Sequence, residues 1–276
     1  MNAYDDAPLP LAPDVAPMAK KPWTSPSRLG TFLQCPRKYE FQQVKKLPTR
    51  PSPNLDLGSN VHAALRDWMH LRPAARTWDA LLEFYRAAWR KNKPAFANRT
   101  RDELRDWGER GKAMLRRFAE EVPPDLEPIM IEKWVGIDFE DIRVSGKVDR
   151  VDLLPDGSLR IIDYKTGRFP RKPDRERAED LAAAVYARGS STHMAGAPVA
   201  EVEYLYLDTM ERLTFPMDDA WQLQRETAIE TLARSLLTAE GIGEFPPTPS
   251  PLCAWCDFKE RCPEGRAFLD ARAGRG

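Results

Sequence analysis

The fold is decided by two short stretches: Gly146-Lys147-Val148-Asp149-Arg150-Val151-Asp152 and Ile161-Ile162-Asp163-Tyr164-Lys165-Thr166-Gly167. Apolar residues alternate along the first, and Leu159, Ile161 and Asp163 occupy alternate positions around the second. Pro155-Asp156-Gly157 between them predicts a turn, so the two stretches are expected to be neighbouring strands. Residues two apart on a strand point to one face, which places Asp163 beside Lys165. Antiparallel pairing across the turn brings Asp149 to the end of the strand that carries Asp163. The apolar residues change from even to odd positions between Val148 and Val151, which predicts a β-bulge that redirects the Asp149 side chain.

This arrangement points to metal-assisted chemistry. Two carboxylates on adjacent strands repel each other unless a cation lies between them, and oxygen ligands favour Mg²⁺ or Mn²⁺. Such an ion would polarise a phosphodiester and lower the pKa of an attacking water. Lys165 would position or deprotonate that water, or stabilise charge in the transition state. His62 would complete the ligand set.

Two plainer interpretations stay open at this point. An Asp-x-Lys pair is also typical of a surface ion pair on an edge strand. A histidine at the boundary between core and solvent, such as His62, is usually structural.

The rest of the chain falls into helical and strand-rich parts. The apolar spacing predicts mainly helices up to about residue 122, including one that begins around Gly58-Ser59 and carries His62. Strands are expected over about 128–217, interrupted by a helix from about Arg175 to Arg188. A long amphipathic helix follows, and a proline-rich link, Phe245 to Pro251, leads to the C-terminal cysteines.

Composition limits the class of protein. The 276 residues include 42 acidic and 42 basic side chains, so an anionic partner has to be held by a local basic groove. The first 23 residues are rich in Pro and Ala, lack the pattern of a signal peptide and are expected to be a disordered tail. No stretch approaches the roughly 20 apolar residues of a membrane span. We therefore expect a soluble, cytoplasmic protein.

The four cysteines are divided between the two ends of the chain. Cys35 stands alone, whereas Cys253, Cys256 and Cys262 form C-x2-C-x5-C. So few cysteines do not make a disulfide scaffold, and metal-bound thiolates in a reducing compartment are the better interpretation. Four thiolates suit either zinc or an iron–sulfur cluster, although Cys35 could also be an inert buried thiol.

Taken together, these motifs resemble the PD-(D/E)XK nuclease superfamily, specifically RecB-like exonucleases with an iron–sulfur cluster. That group includes the AddB nuclease domain and the CRISPR-associated spacer-acquisition nucleases. The resemblance rests on five segments in order: Ser25 to Leu29 with Cys35 to Tyr39, Leu57 to His62, Gly146 to Asp152, Asp163 to Gly167, and Cys253 to Cys262. It implies an α/β, restriction-endonuclease-like core with a mixed central sheet flanked by helices. An N-terminal helical region and a C-terminal iron–sulfur segment complete it.

The resemblance also implies roles for individual residues. His62, Asp149, Asp163 and the backbone carbonyl of Tyr164 would bind Mg²⁺ or Mn²⁺, and Lys165 would be the catalytic lysine. Cys35, Cys253, Cys256 and Cys262 would hold a 4Fe-4S cluster that links the two ends of the chain.

One position departs from the family pattern, which has a glutamine four residues before the tyrosine of the following helix. Tyr186 is present here, but the earlier position is Ala182. Alanine cannot replace the hydrogen bonds of an amide, so activity is weakened or another side chain, such as Asp180, reaches the site.

The expected protein is a metal-dependent DNA exonuclease acting on single-stranded ends in repair, recombination or related processing. Its predicted organisation is a tail over 1–23, one nuclease domain over 24–265 (helical part about 57–122, catalytic sheet about 128–217) and a tail over 266–276. Arg37 and Lys38 would contact the DNA strand. No Walker A motif is present, so unwinding would need a separate helicase, with a recombination or CRISPR partner possible. The alternatives are an inactive DNA-end-binding module and a zinc-stabilised interaction domain.

Overall fold

A mixed sheet of six strands forms the centre of the computed structural model, which describes residues 21–91 and 99–274. Its strands are β1 (Trp23–Thr24), β2 (Met130–Asp138), β3 (Arg143–Leu153), β4 (Leu159–Lys165), β5 (Val199–Tyr206) and β6 (Glu211–Phe215). They are ordered β1-β3-β4-β5-β6, with β2 also paired to β3. The β1–β3 and β4–β5 pairs are parallel, and the other pairs are antiparallel.

Helices flank this sheet, as the sequence predicts. Within the described ranges, five α-helices precede β2: α1 (Pro26–Gln34), α2 (Pro36–Tyr39), α3 (Pro53–Met69), α4 (Trp78–Lys91) and α5 (Arg101–Glu121). Two lie between β4 and β5, namely α6 (Pro173–Glu179) and α7 (Ala182–His193), and supply the crossover that a parallel strand pair requires. The chain continues through α8 (Asp219–Ile242) to α9 (Pro263–Ala273). The α/β class and the mixed sheet flanked by helices are confirmed.

The structure corrects several expected boundaries. The helix of His62 begins at Pro53 rather than Gly58, because the Ser52 hydroxyl caps it and proline suits a first helical turn. The helix expected over Arg175 to Arg188 is divided into α6 and α7. In the segment expected to be a C-terminal tail, α9 extends as far as Ala273. Of the expected N-terminal tail, residues 1–20 lie outside the described residues.

The core lies on both faces of the sheet. On one face, α3, α4 and α5 pack against β4 and β5, with Trp68 and Phe118 almost fully buried. Truncating an aromatic side chain at such a position costs about 3–5 kcal/mol. On the other face, α7 and α8 pack against β2, β3 and β5. This packing fixes α3 against the strands that carry the acidic residues.

A close approach explains the glycine at the start of the histidine motif. A Cβ added to Gly58 would lie 3.0 Å from the Thr166 hydroxyl oxygen, at the end of β4. Glycine therefore lets α3 pack closely against the segment that follows Lys165. Among the helices of the described residues, none is long and apolar enough to cross a membrane.

Candidate active site

The two aspartates lie where β3 and β4 separate. The last regular pair between these strands is Arg150 with Ile162, so Asp149 and Asp163 are the next residues along. Asp149 Oδ2 accepts a 2.7 Å hydrogen bond from the Tyr164 backbone N–H. Asp149 Oδ1 lies 3.0 Å from His62 Nδ1, which brings the α3 histidine to the same point. The sequence prediction that these residues meet is therefore realised in the geometry.

Lys165 lies beside Asp163, as the two-residue period predicts. Its Nζ is 2.7 Å from Asp163 Oδ2 and 3.9 Å from the centre of the Tyr204 ring. Burial works against charge on Lys165, but the Asp163 carboxylate outweighs it and the pKa of Lys165 is raised. The ammonium group is thus held between a carboxylate and an aromatic face.

Glu132 is a member of the site that sequence reasoning missed. It lies opposite Asp149 on β2, at the one position where the β2–β3 pairing is interrupted, and its φ of +50° is left-handed. The irregularity expected near Asp149 is therefore found on the neighbouring strand. Single acidic residues on strands are common, so only the strand register could have revealed it. The ligand atoms of His62, Glu132 and Asp149 all lie within 4.8 Å of one another. Glu132 also pairs with Lys147 at 2.5 Å, and Asp163 pairs with Lys165.

The electrostatics of this group favour a bound cation. Burial, and next the Asp163 carboxylate, raise the pKa of Asp149 above its ordinary value. Burial is the largest influence on His62 and disfavours its charge, but the carboxylates of Asp149, Asp163 and Glu132 together outweigh it and raise the pKa of His62 to about 9. The carboxylates of Asp149, Asp163 and Glu132 and the imidazole of His62 form a donor set that fits Mg²⁺ or Mn²⁺.

A cavity of about 600 Å³ opens in front of these side chains. The sequence-predicted site residues that line it are His62, Asp149, Asp163, Tyr164, Lys165 and Tyr186. A second cavity of about 520 Å³ shares Lys147, Lys165 and Tyr186 with the first. The space is therefore an open cleft with two lobes that meet at Lys165.

Tyr186 enters this cleft from α7 because β3 has a glycine beneath it. A Cβ added to Gly146 would lie 2.8 Å from Tyr186 Cε1, so the ring lies directly on the strand. Burial, followed by the Asp163 and Asp149 carboxylates, raises the pKa of Tyr186 well above its ordinary value. The glycine in the β3 motif thus has a packing role that sequence alone did not indicate.

Asp180 occupies the break between α6 and α7, next to the departure at Ala182. Its Oδ1 accepts from the Ala183 N–H at 2.7 Å and caps α7, and its Oδ2 accepts from the Tyr204 hydroxyl at 2.7 Å. Asp180 and Ala182 line the second lobe together with Lys165. An acidic group therefore lies close to the position where the family has an amide.

The four cysteines converge away from this cleft. All of them line one cavity of about 140 Å³, formed by α2, α9 and the segment that follows α8. Cys35 Sγ accepts from the Thr248 N–H and Cys253 Sγ from the Ser250 N–H, both at 3.4 Å. The structure thus brings together the two ends of the described chain, as predicted.

Arg37 and Lys38 line the cysteine cavity and do not reach the carboxylate cleft. Arg37 donates to the Phe245 carbonyl at 3.0 Å and pairs with Glu40. Lys38 donates to the Gln34 amide oxygen at 2.6 Å. Arg37 thus links the N-terminal helices to the segment that follows α8, whereas the hydrogen bond of Lys38 stays within the N-terminal helices.

Comparisons with known proteins agree with this architecture. A family model described as the PD-(D/E)XK nuclease superfamily matches residues 24–263. The Gene 69 protein of Mycobacterium phage D29 is 28% identical over 276 aligned positions, which cover 88% of this chain and 97% of that protein. The Gene 69 protein of Mycobacterium phage L5 is 25% identical, with 88% and 96% covered. A crystal structure of a "putative exonuclease" from Eubacterium rectale superposes with a TM-score of 0.56 at 16% identity, covering 85% and 86% of the two chains.

Proposed function

Because this chain belongs to the PD-(D/E)XK nuclease superfamily, we propose that it is a metal-dependent DNA exonuclease that hydrolyses single-stranded ends. The observation that carries the proposal is the convergence of His62, Asp149, Asp163 and Lys165 on one open cleft. A buried pair of carboxylates is costly without a cation, and such sites are kept where the charge is used in chemistry.

The metal ligands we propose are His62, Asp149, Asp163 and the Tyr164 carbonyl oxygen, with Glu132 as an additional acidic ligand. A divalent ion bound there supplies Lewis-acid activation of the phosphate and a lowered pKa for the attacking water. The Tyr164 N–H fixes the orientation of Asp149 through their 2.7 Å hydrogen bond. As a ligand, Asp163 would face the bound ion in place of its present contact with Lys165.

Lys165 is the proposed catalytic lysine. Its ammonium, which lies 2.7 Å from Asp163, would donate to the phosphate oxygens as negative charge develops on them. The Tyr204 ring beneath Nζ holds the side chain towards the cleft. Tyr186, which lies near Asp163, supports the same end of the site.

The second candidate is a DNA-end-binding module that has the fold but no turnover. The specific observation in its favour is Ala182, which removes an amide from the wall of the cleft. Asp180 and Tyr204 place other polar groups beside Lys165, which favours the active enzyme.

We propose that the four cysteines hold a 4Fe-4S cluster. All four cysteines line one cavity, as a shared group requires, and zinc sites more often use two close cysteine pairs than a single cysteine and a trio. Backbone N–H groups directed at two of the sulfurs are typical of thiolates that carry a cluster. Its role would be structural, since the cysteines lie outside the carboxylate cleft.

The biological setting follows as part of this proposal. A single-strand exonuclease of this kind would act in DNA repair, recombination or related processing in the cytoplasm. A separate helicase, or a recombination or CRISPR protein, would supply the unwound strand.

The test is digestion of end-labelled single-stranded and duplex DNA with Mg²⁺ or Mn²⁺, beside a circular single strand. The proposal predicts that linear single strands are degraded, that circles resist and that chelation of the metal stops the reaction. Lys165→Met should lower the rate by at least about 100-fold. Lys112→Met, which removes a lysine paired with Glu109 on α5, should not change it. Cleavage of circles would contradict exonuclease action, and DNA binding without cleavage in either metal would favour the second candidate.

A further inference from the structure

Two exposed tryptophans lie edge to face beside the cleft. Trp23 on β1 and Trp134 on β2 are 53% and 56% exposed, and their ring centroids are 6.3 Å apart at an interplanar angle of 80°. Large aromatic side chains bury 150–250 Å² where they pack, so leaving two adjacent ones half exposed forgoes considerable hydrophobic stabilisation. The core of the described residues does not need these rings.

The pair is continuous with the proposed catalytic centre. Trp134 lies directly opposite Lys147 in the β2–β3 ladder, and directly opposed residues share one face of a sheet. Trp134, Lys147 and Lys165 all line the second lobe of the cleft. A strand that leaves the carboxylates past Lys165 and Lys147 therefore reaches the tryptophan surface next.

Basic side chains near the second lobe and the tryptophan pair suit a negatively charged nucleic-acid backbone. Lys147 and Lys165 line both lobes, where Lys147 pairs with Glu132 at 2.5 Å and Lys165 with Asp163 at 2.7 Å. The Arg28 guanidinium lies 5.4 Å from the centre of the Trp23 ring. The hydroxyl-bearing Ser25 and Ser27 border the same lobe from the start of α1. Glu176 and Glu179 of α6 also line this lobe, and their negative charges would repel the backbone towards the lysines.

From this arrangement we propose that Trp134, with Trp23 beside it, is a stacking platform for the bases of single-stranded DNA entering or leaving the catalytic cleft. Bases in a duplex are stacked on one another and cannot present their faces to a side chain, whereas unpaired bases can. The platform would therefore select single strands without reading their sequence. The inference rests on the proposed nuclease function and specifies the substrate of that site.

The binding test uses the full chain in a chelating buffer, so that no cleavage occurs. Three labelled probes of equal length are compared: an oligothymidylate of about 12 nucleotides, an abasic strand and a duplex. The abasic strand has the same phosphates but no bases, so the difference between the first two isolates stacking. We expect the oligothymidylate to bind more tightly than either other probe and to quench tryptophan fluorescence.

Trp134→Ala should lower the affinity for the oligothymidylate by about 5- to 150-fold, with little effect on the abasic strand. Trp134→Phe should retain most of the preference because it keeps a ring, and Trp23→Ala should lose part of it. Leu223→Ala, which truncates a residue that is 66% exposed on α8, is the matched control and should bind as the wild type does. Thermal unfolding of each variant verifies that the fold is intact.

Equal binding of the oligothymidylate and the abasic strand by the wild type would overturn the inference. So would tighter binding of the duplex, or an unchanged preference for bases in a folded Trp134→Ala protein. Cleavage assays separate this result from the parent proposal. If the protein cleaves DNA but its preference for strands with bases does not depend on Trp134, the platform alone is refuted. If that preference depends on Trp134 but no DNA is cleaved in Mg²⁺ or Mn²⁺, the nuclease proposal is refuted and the platform stands.

Discussion

Replacing Gly146 with alanine tests whether close packing of Tyr186 on β3 positions the cleft. The new Cβ would lie 2.8 Å from Tyr186 Cε1, whereas ordinary van der Waals contact begins at 3.4 Å. The ring must therefore retreat by about 0.6 Å, which costs about 1–3 kcal/mol in a packed interior. The displacement moves Tyr186 relative to Asp163. A 1 Å misplacement in an active site can cost about 100-fold, so we expect a 10- to 100-fold loss of cleavage rate.

The assay pairs urea unfolding with single-turnover digestion of a labelled single strand. Gly108→Ala is the matched control, because Gly108 also lies in a regular element but has no atom within 4 Å of an added Cβ. That substitution should stabilise α5 slightly, by up to about 1 kcal/mol, and leave the rate unchanged. A Gly146→Ala protein with wild-type stability and wild-type rate would refute the reasoning about Tyr186.

Three further predictions follow from other parts of the structure. Arg150→Met should lower the free energy of unfolding by about 3–5 kcal/mol in urea titrations, because the buried Asp152 carboxylate, 3.0 Å from Arg150, loses its partner. The double change Arg150→Met with Asp152→Leu should recover most of this loss, and a small effect of Arg150→Met alone would contradict the prediction. Mn²⁺ at 100 times its Kd should stabilise the protein by about 2.7 kcal/mol in calorimetry, and Asp149→Ala should abolish the effect. Anaerobically purified protein should contain iron and absorb visible light, whereas Cys262→Ser should lose both and unfold at a lower temperature; a colourless wild type with stoichiometric zinc would count against the cluster.

The centre of the fold could be predicted from sequence because it depends on local rules. The period of two on β4 places Lys165 beside Asp163, and the turn before β4 brings Asp149 alongside. The helical stripe that contains Val61 and Leu65 places His62 at the edge of the buried face. These relations need only neighbouring residues or a single strand pair.

The remainder depends on geometry that no local pattern contains. Glu132 joins the site through the register of β2 and a left-handed backbone conformation. The break between α6 and α7 arises because the Asp180 carboxylate caps α7 while also accepting from Tyr204, a contact with a distant strand. A DNA contact by Arg37 stays a prediction, and its hydrogen bond to the Phe245 carbonyl, near the other end of the chain, could not be read from local sequence.

The most direct measurement of the proposed catalytic centre is the single-turnover rate of cleavage of an end-labelled single strand by Asp163→Asn in saturating Mn²⁺. Asparagine keeps the shape of the side chain but removes the negative charge. Asp174→Asn, which changes a fully exposed aspartate on α6, is the matched control. We predict that Asp163→Asn cleaves at least about 1,000-fold more slowly than the wild type while Asp174→Asn is unaffected. A folded Asp163→Asn protein that cleaves at the wild-type rate would contradict the assignment of this cleft as the nuclease site.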